Sequence, residues 1–438
     1  MSQAQQPAGL KKTLTPLMLW GLGVGYVISG MYFGWNLGLQ EGGTLGLAVA
    51  TGFIIVMYTC FSFAYSELAC AIPKAGGVFD YATRALGKDL GFIGGMAQNI
   101  EFIFAPPAIA FAIGAYFNLF FPQVPVLAIA IAAYFVFTAL NIAGVKAAAT
   151  FELVITVLAV GELLLFACVT LPHFSTANLT KNALPHGWSG AFAAIPFAIW
   201  FFLGIEGVAN VAEETVNPQK DILKGFGSAI LTLVILCILT FIACVGVAGW
   251  ETVVFKNGLS GDTSDSPLPL AMGHVVGDNS FLFHMLVTVG LFGIIASFHG
   301  LILAAGRSTF EFGRAGLAPK ALGEVSNKYH TPANALLVNM FIGIVALCTG
   351  KTSEIITISV FGALTLYIIA MVSIIVLRKN EPELERPFHV PLYPLTPIVA
   401  LVIAVVSIVA MTYYNPLLAG IYFGILALSF VTYKLLRK

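Results

Sequence analysis

Three carboxylates stand where a membrane-type chain ordinarily keeps none. Glu101, Glu162 and Glu206 each lie inside a long apolar run, whereas most other acidic residues fall at run ends or in connecting segments. No Lys or Arg lies at comparable depth. A charge at the centre of a hydrocarbon layer costs about 2.5–3.5 kcal/mol on insertion scales. Such groups persist when protonated, hydrogen-bonded, or matched by a positive group arriving from solution. The chemistry on offer is therefore the binding of a proton, a metal cation or an organic cation. Aromatic rings accompany the acids: Tyr26, Tyr32, Phe104, Trp200, Phe201 and Phe298 fall near the middle of their runs. A ring face attracts an ammonium by about 0.5–2 kcal/mol. With 35 phenylalanines in the chain, many rings need only face lipid or fill the core. Plainer roles exist for the acids too. Glu101 can brace a kink at Pro106-Pro107, Glu162 can bond a neighbouring helix in its protonated form, and Glu206 can be a structural hydrogen-bonder. His299 offers a proton relay or a neutral core ring. Gln98, Asn99 and Asn210 read as polar glue between helices.

The elements that must position these groups follow from composition. Of 438 residues, 58% are hydrophobic and 10% charged, with a mean hydropathy of +0.92. A soluble domain carries about 25% charged residues, so lipid must be the main solvent. A membrane helix needs roughly 20 apolar residues. Apolar runs fall at about 14–39, 44–70, 91–121, 124–143, 150–171, 189–213, 225–249, 279–306, 332–349, 354–377, 395–414 and 416–434. Their length predicts helices rather than barrel strands, which would alternate over about ten residues. Twelve spans form one integral unit, and the polar stretch before the first run does not read as a cleaved signal peptide. The longest outside segment, 251–278, is too short for a folded domain. The six cysteines sit in apolar stretches without a C-x-x-C pair and read as reduced core residues. No metal or other cofactor is expected. Zero net charge argues against nucleic acid as a partner.

Lys and Arg set the expected orientation. With the first run leaving from the inside, only Lys181, Lys256 and Lys351 of the 21 basic residues fall in outside segments. The remaining eighteen, among them Lys11, Lys146, Arg437 and Lys438, fall inside. Both termini are thus expected in the cytoplasm of an inner, or cell, membrane. Lys74, Arg84 and Lys88 could touch anionic lipid, although solvated loop charge is the simpler reading.

Two runs are interrupted. The first holds Gly21, Gly23, Gly25, Ser29-Gly30, Gly34 and Gly38; the sixth holds Pro196 and then Gly204-Ile205-Glu206-Gly207. Glycine lets the backbone unwind, and unwound backbone at membrane depth survives only against a cavity or buried in protein. Breaks five helices apart, in matching places of two halves, point to a carrier built from inverted repeats with its site at the midplane. Close helix packing is the plainer use of such glycines.

Four segments then resemble the amino acid–polyamine–organocation (APC) transporters, along nearly the whole chain. Ile28-Ser29-Gly30-Met31-Tyr32 resembles the unwound part of helix 1. Tyr65-Ser66-Glu67-Leu68, Pro73-Lys74-Ala75-Gly76-Gly77 and Tyr81 resemble the end of helix 2 and its inner loop. Phe202-Leu203-Gly204-Ile205-Glu206, Glu213-Glu214 and Asn217-Pro218 resemble helix 6 and its exit. Arg307 to Pro319, with Arg386-Pro387-Phe388 and Pro391, resembles the inner loops after helices 8 and 10. Within the superfamily, Gly25 to Asn36 is most similar to the ethanolamine permeases. The resemblance implies a first repeat over 14–171, an inverted second repeat over 189–377, two trailing helices over 395–434, and secondary transport by alternating access. Taken with the buried acids and the midplane rings, it leads to Ser29, Gly30, Met31, Tyr32, Glu101, Phe104, Trp200, Phe201, Leu203 and Glu206 as the expected substrate site; the buried acids Glu162 and Glu206 are expected to serve ion coupling. Many amino-acid carriers of this kind hold a lysine in helix 5; here Ala159 stands there, with Glu162 about a turn on. That departure leaves the coupling ion open between the proton, which is expected, and sodium.

The buried side chains offer negative charge alone, so a small organic cation, ethanolamine above all, is the expected cargo. An amino acid is the alternative. Its carboxylate would need N–H groups of Ser29, Gly30 and Met31 at the helix 1 break. A channel would want a ring of repeated polar residues, and a membrane enzyme a nucleophile with its base; the seven histidines are scattered without H-E-x-x-H. Neither pattern is present, so no enzyme is expected, and a sensor would add a soluble output domain.

Overall fold

The computed structural model describes residues 12–143, 148–256, 261–326, 328–329 and 331–436. Lys11, Lys146, Arg437 and Lys438 lie outside the described residues. Among the described residues the chain is helical, without strands beyond two isolated bridges, Leu14 to Thr215 and Phe255 to Thr263. Among the described residues ten helices are long and apolar enough to cross a bilayer, and the shorter apolar helices Pro16–Tyr32 and Ala333–Leu347 supply spans 1 and 9. The chain is an all-α multi-pass membrane protein.

Span 1 runs over Pro16–Val27, a turn Ser29–Tyr32, and residues 37–42; span 2 follows at once over 44–71, the two divided only by Gly43 (φ 63°). Spans 3, 4 and 5 are Lys88–Asn118, Val126–Ala143 and Ala148–Thr170. Span 6 is Ile195–Trp200 followed by the tighter 3₁₀ turn Ile205–Glu214. Spans 7 and 8 are Pro218–Ala248 and Phe281–Arg314, and spans 10, 11 and 12 are Thr352–Asn380, Leu395–Tyr414 and Pro416–Leu436. Two segments read as connections are helical: amphipathic Val78–Leu86, and Pro267–Val276 inside the long segment 251–278.

Burial grades from centre to rim. The most apolar stretch of span 6 is 100% buried, that of span 12 only 22%. Leu417, Leu428 and Leu435 on span 12, like Phe53 and Phe341 elsewhere, turn outward, as side chains solvated by lipid do. Small residues bring the inner helices to backbone distance. A Cβ on Gly362 of span 10 would meet Ala97 O at 2.6 Å and Glu101 N at 2.8 Å, so span 10 presses Glu101 into the interior. Three cysteines, Cys70, Cys237 and Cys244, are core residues as expected; Cys60 is half-buried, while Cys168 and Cys348 are exposed. That corrects the all-core reading, because an apolar run on a peripheral helix turns part of its surface to lipid.

The basic ends converge on one face. Arg378 and Arg386 reach Glu67, Arg84 reaches Glu381, Arg307 reaches Glu214, and Lys434 reaches Asp89. These pairs tie the ends of spans 2, 3, 6, 8, 10 and 12 into a single polar plate. Lys351 pairs with Glu354 on the other face.

Candidate functional site

The two interrupted helices meet through their backbones. In span 1 the Ser297 hydroxyl of span 8 is inserted into the helical ladder. It donates to Gly25 O (2.6 Å) and accepts from the Ser29 N–H (3.0 Å), replacing the direct bond between those two groups. After the turn Ser29–Tyr32 the chain becomes extended at Phe33 and passes through Gly34 at φ +86°, where a Cβ would be strained and would collide with the Trp200 indole. Asn36 fastens the far side. Its Oδ1 accepts from the Gly34 N–H (3.1 Å), and its amide donates to Ser264 O (2.9 Å). In span 6 the helix stops at Trp200, and Gly204 turns left-handed at φ +94°. A Cβ on Gly30 would overlap the Trp200 carbonyl oxygen. The Trp200 indole donates to Phe33 O (3.1 Å), and Trp35 stacks on Phe201 with centroids 5.4 Å apart. Ser29, Gly30, Met31, Tyr32, Trp200, Phe201 and Leu203 are all buried around this crossing. The Ser29 N–H is given to Ser297 and the Met31 N–H to Ile28 O. Two of the three N–H groups expected for a carboxylate are thus engaged, because the chain rewinds into a turn there.

Glu101 and Glu206 are brought together. Their carboxyl groups are within hydrogen-bonding contact across spans 3 and 6. Tyr367 donates to Glu206 (3.0 Å), which leaves Tyr58 to donate to Tyr367 (2.9 Å). Apart from the mutual contact, neither Glu101 oxygen nor Glu206 Oε1 has a hydrogen-bond partner, and neither acid forms an ion pair among the described residues. Two touching carboxyls in a water-poor site cannot both be charged. The pair presents carboxyl oxygens as acceptors to a cation.

Glu162 does not join them. Its carboxylate accepts from Tyr32 OH at 2.5 Å, and it lines a cavity of about 10 Å³ with Tyr116, Met272 and Val287. It is therefore a partnered acid on the opposite flank of span 1. The three acids form a pair and a single, because span 5 packs on the outside of the break. Phe104 is half-buried and lies outside the fully buried set, one turn beyond Glu101. Phe298 packs edge-on to Tyr134 and Phe137 of span 4. The Tyr26 ring fills the space between Gly207 and Gly300.

Residue types alone give no sign of Tyr58, Tyr367 or Glu152. Tyr58 and Tyr367 carry no signature among 14 tyrosines. Asn210, read as glue, has no hydrogen-bond partner among the described residues; with Gln98 Oε1 and Tyr65 OH it surrounds Gly77. Gln98 and Asn99 do tie span 3 to span 8, through Ser308 and Thr309. Glu152 sits at the mouth of an apolar run, where an acid reads as a helix-end residue, yet it is buried beside His299, 3.9 Å away. Only its helical phase, one face with Thr156 and Ala159, could have revealed it.

Residues 14–432 match the family model described as amino acid permease. The chain belongs to that family. It is a transporter, not an enzyme, and the likeness covers every span. The permease is 28% identical over 412 residues to an uncharacterized transporter of Rhizobium meliloti (strain 1021), covering 90% of this chain and 86% of that one. It is 26% identical over 420 residues to the methylthioribose transporter of Bacillus subtilis (strain 168), with 90% and 87% covered. It is 25% identical over 412 residues to the branched-chain amino acid permease of the same organism, with 88% and 85% covered. None of these three is named for ethanolamine, so the permease stands in the superfamily expected while the finer likeness is without support here.

Proposed function

We propose that this permease moves a small solute carrying a primary ammonium across the cell membrane, an amino acid in first place, by alternating access about the crossing of spans 1 and 6. The observation that carries the reading is the facing Glu101–Glu206 pair, an anionic site without a basic counterpart among the described residues. An ammonium entering between spans 1, 3 and 6 finds carboxyl oxygens there, and the nearby Trp200 and Phe201 supply apolar walls. The amino acid comes first because a branched-chain amino acid permease is among the relatives. A second reading, an amine such as ethanolamine, is favoured by the engaged Ser29 and Met31 N–H groups, which leave less for a carboxylate to bind. The halves 14–171 and 189–377, with 395–434 trailing, belong to this proposal, as do the cytoplasmic termini, inward transport, and coupling to protons rather than sodium.

Thermal-shift binding to the purified full chain tests it, with leucine, phenylalanine, ethanolamine, choline and the uncharged ethylene glycol as probes. Stabilisation by leucine or phenylalanine above ethanolamine supports the first reading, and the reverse order the second. Equal stabilisation by ethylene glycol rejects both. Uptake in proteoliposomes that follows a sodium gradient and ignores pH rejects proton coupling.

A further inference from the structure

Away from the acid pair, spans 1, 5 and 8 enclose a second ionisable cluster. Glu152 of span 5 and His299 of span 8 are both buried, with Glu152 Oε2 3.9 Å from His299 Nδ1. Glu152 Oε1 has no hydrogen-bond partner. It lies 2.5 Å from where a Cβ on Gly25 would stand, so glycine lets span 1 close over it without displacing the carboxylate. Thr156 Oγ1 fills the other side of the same gap and donates to Gly21 O (3.1 Å). The lower half of span 1 is thus laid on an unpartnered acid, and the Ser297 hydroxyl holds the break a turn above. Among the described residues, Tyr26 of span 1 is the titratable group that interacts with Glu152, and the same ring feels Arg307 of span 8 and Glu214 at the end of span 6. Arg307 and Glu214 already pair at 2.8 Å. Span 4 contributes the Phe137 ring and the Asn141 amide, which reaches the His299 carbonyl. Among the described residues no Lys or Arg is paired with Glu152.

We propose that Glu152 and His299 form the proton-coupling site of the permease. This rests on reading the chain as a proton-driven carrier. A proton taken from outside water adds to the pair and removes the bare negative charge on which the Gly25 turn is laid, so span 1 closes over it. When the lower half of span 1 swings away, the pair is wetted from the inner side and the proton passes to cytoplasmic water. Glu162 cannot serve in the same way while Tyr32 holds its carboxylate, and Glu206 is given to the solute.

The test has one arm that needs no solute. Infrared difference spectra of the purified full chain, recorded between about pH 5 and about pH 8, are expected to show a protonated-carboxyl band that titrates. Glu152→Gln removes that band, and His299→Gln moves its midpoint by about one pH unit or more, as loss of a partner charge does. An unchanged band in both variants overturns the proposal. The second arm compares two fluxes in proteoliposomes, with labelled leucine and labelled ethanolamine as probes. Glu152→Gln is expected to lose accumulation under a pH gradient by about tenfold or more while counterflow without a gradient stays within about threefold. Retained accumulation overturns the proposal. Loss of both fluxes leaves the decision to the infrared arm. If neither probe is bound by the wild type, the reading of the cargo fails while the infrared result still stands or falls alone.

Discussion

Glu67 and Glu206 are both buried glutamates in the same bundle, and their surroundings could hardly differ more. Glu67 accepts from Arg378 at 2.8 and 2.6 Å and from the Val390 N–H at 2.7 Å, with Arg386 a further 3.5 Å away. Glu206 has a tyrosine and another acid. A carboxylate whose lone pairs are filled by a guanidinium fork is a rivet. A carboxyl facing a carboxyl is an unfilled demand for positive charge. The residue type is the same; what the neighbouring helices bring to it decides whether it closes the protein or receives its cargo.

Several changes would break or sharpen that contrast. The largest effect is expected from Glu101→Gln combined with Glu206→Gln, which should abolish solute uptake while membrane expression is retained, read by uptake assay and immunoblot. Glu67→Gln should instead act on stability. It strands two arginine charges, and removing one partner of a buried pair costs about 3–5 kcal/mol, so thermal unfolding should move down by many degrees in the absence of solute. Trp200→Phe removes the bond to the Phe33 carbonyl, worth about 0.5–1.5 kcal/mol, and should weaken solute binding several-fold.

A pH-dependent effect lies in the segment between spans 7 and 8. Burial raises the carboxyl of Asp265, which accepts from Thr352, to about 6. An exposed or unfolded Asp titrates near 3.9. The packed form therefore binds the proton more tightly, and its added stability is complete below about 3.9 and lost as pH rises through about 6. Because Asp265 is half-buried by its exposed surface, the change is about 1–2 kcal/mol. Thermal stability should fall between about pH 4 and about pH 6.5, and Asp265→Asn should flatten that slope.

The spans were legible because lipid solvation leaves a simple record, uninterrupted apolar length. Val126–Ala143 falls within two residues of its expected run, and the Gly204 break falls where the glycines stand. The division at Gly43 was harder, since a helix that turns without a polar loop leaves only one glycine as a sign. At the site, Glu101 and Glu206 could be singled out because a buried charge is conspicuous in any apolar run. Their contact could not, for it depends on span 10 pressing span 3 inward at Gly362. Glu162 looked equivalent and is not, since its partner Tyr32 comes from another helix. Glu152 was hidden by lying at a run's edge, where burial depends on what packs across it.

Equilibrium binding of a labelled ammonium solute, leucine or ethanolamine according to the thermal-shift ranking, tests the acid pair most directly. Glu101→Gln and Glu206→Gln should each weaken binding by about thirtyfold or more, the scale of losing a buried charge partner, whereas Glu162→Gln should leave it within a few-fold. Unchanged binding in both pair variants, or a loss confined to Glu162→Gln, would contradict the account.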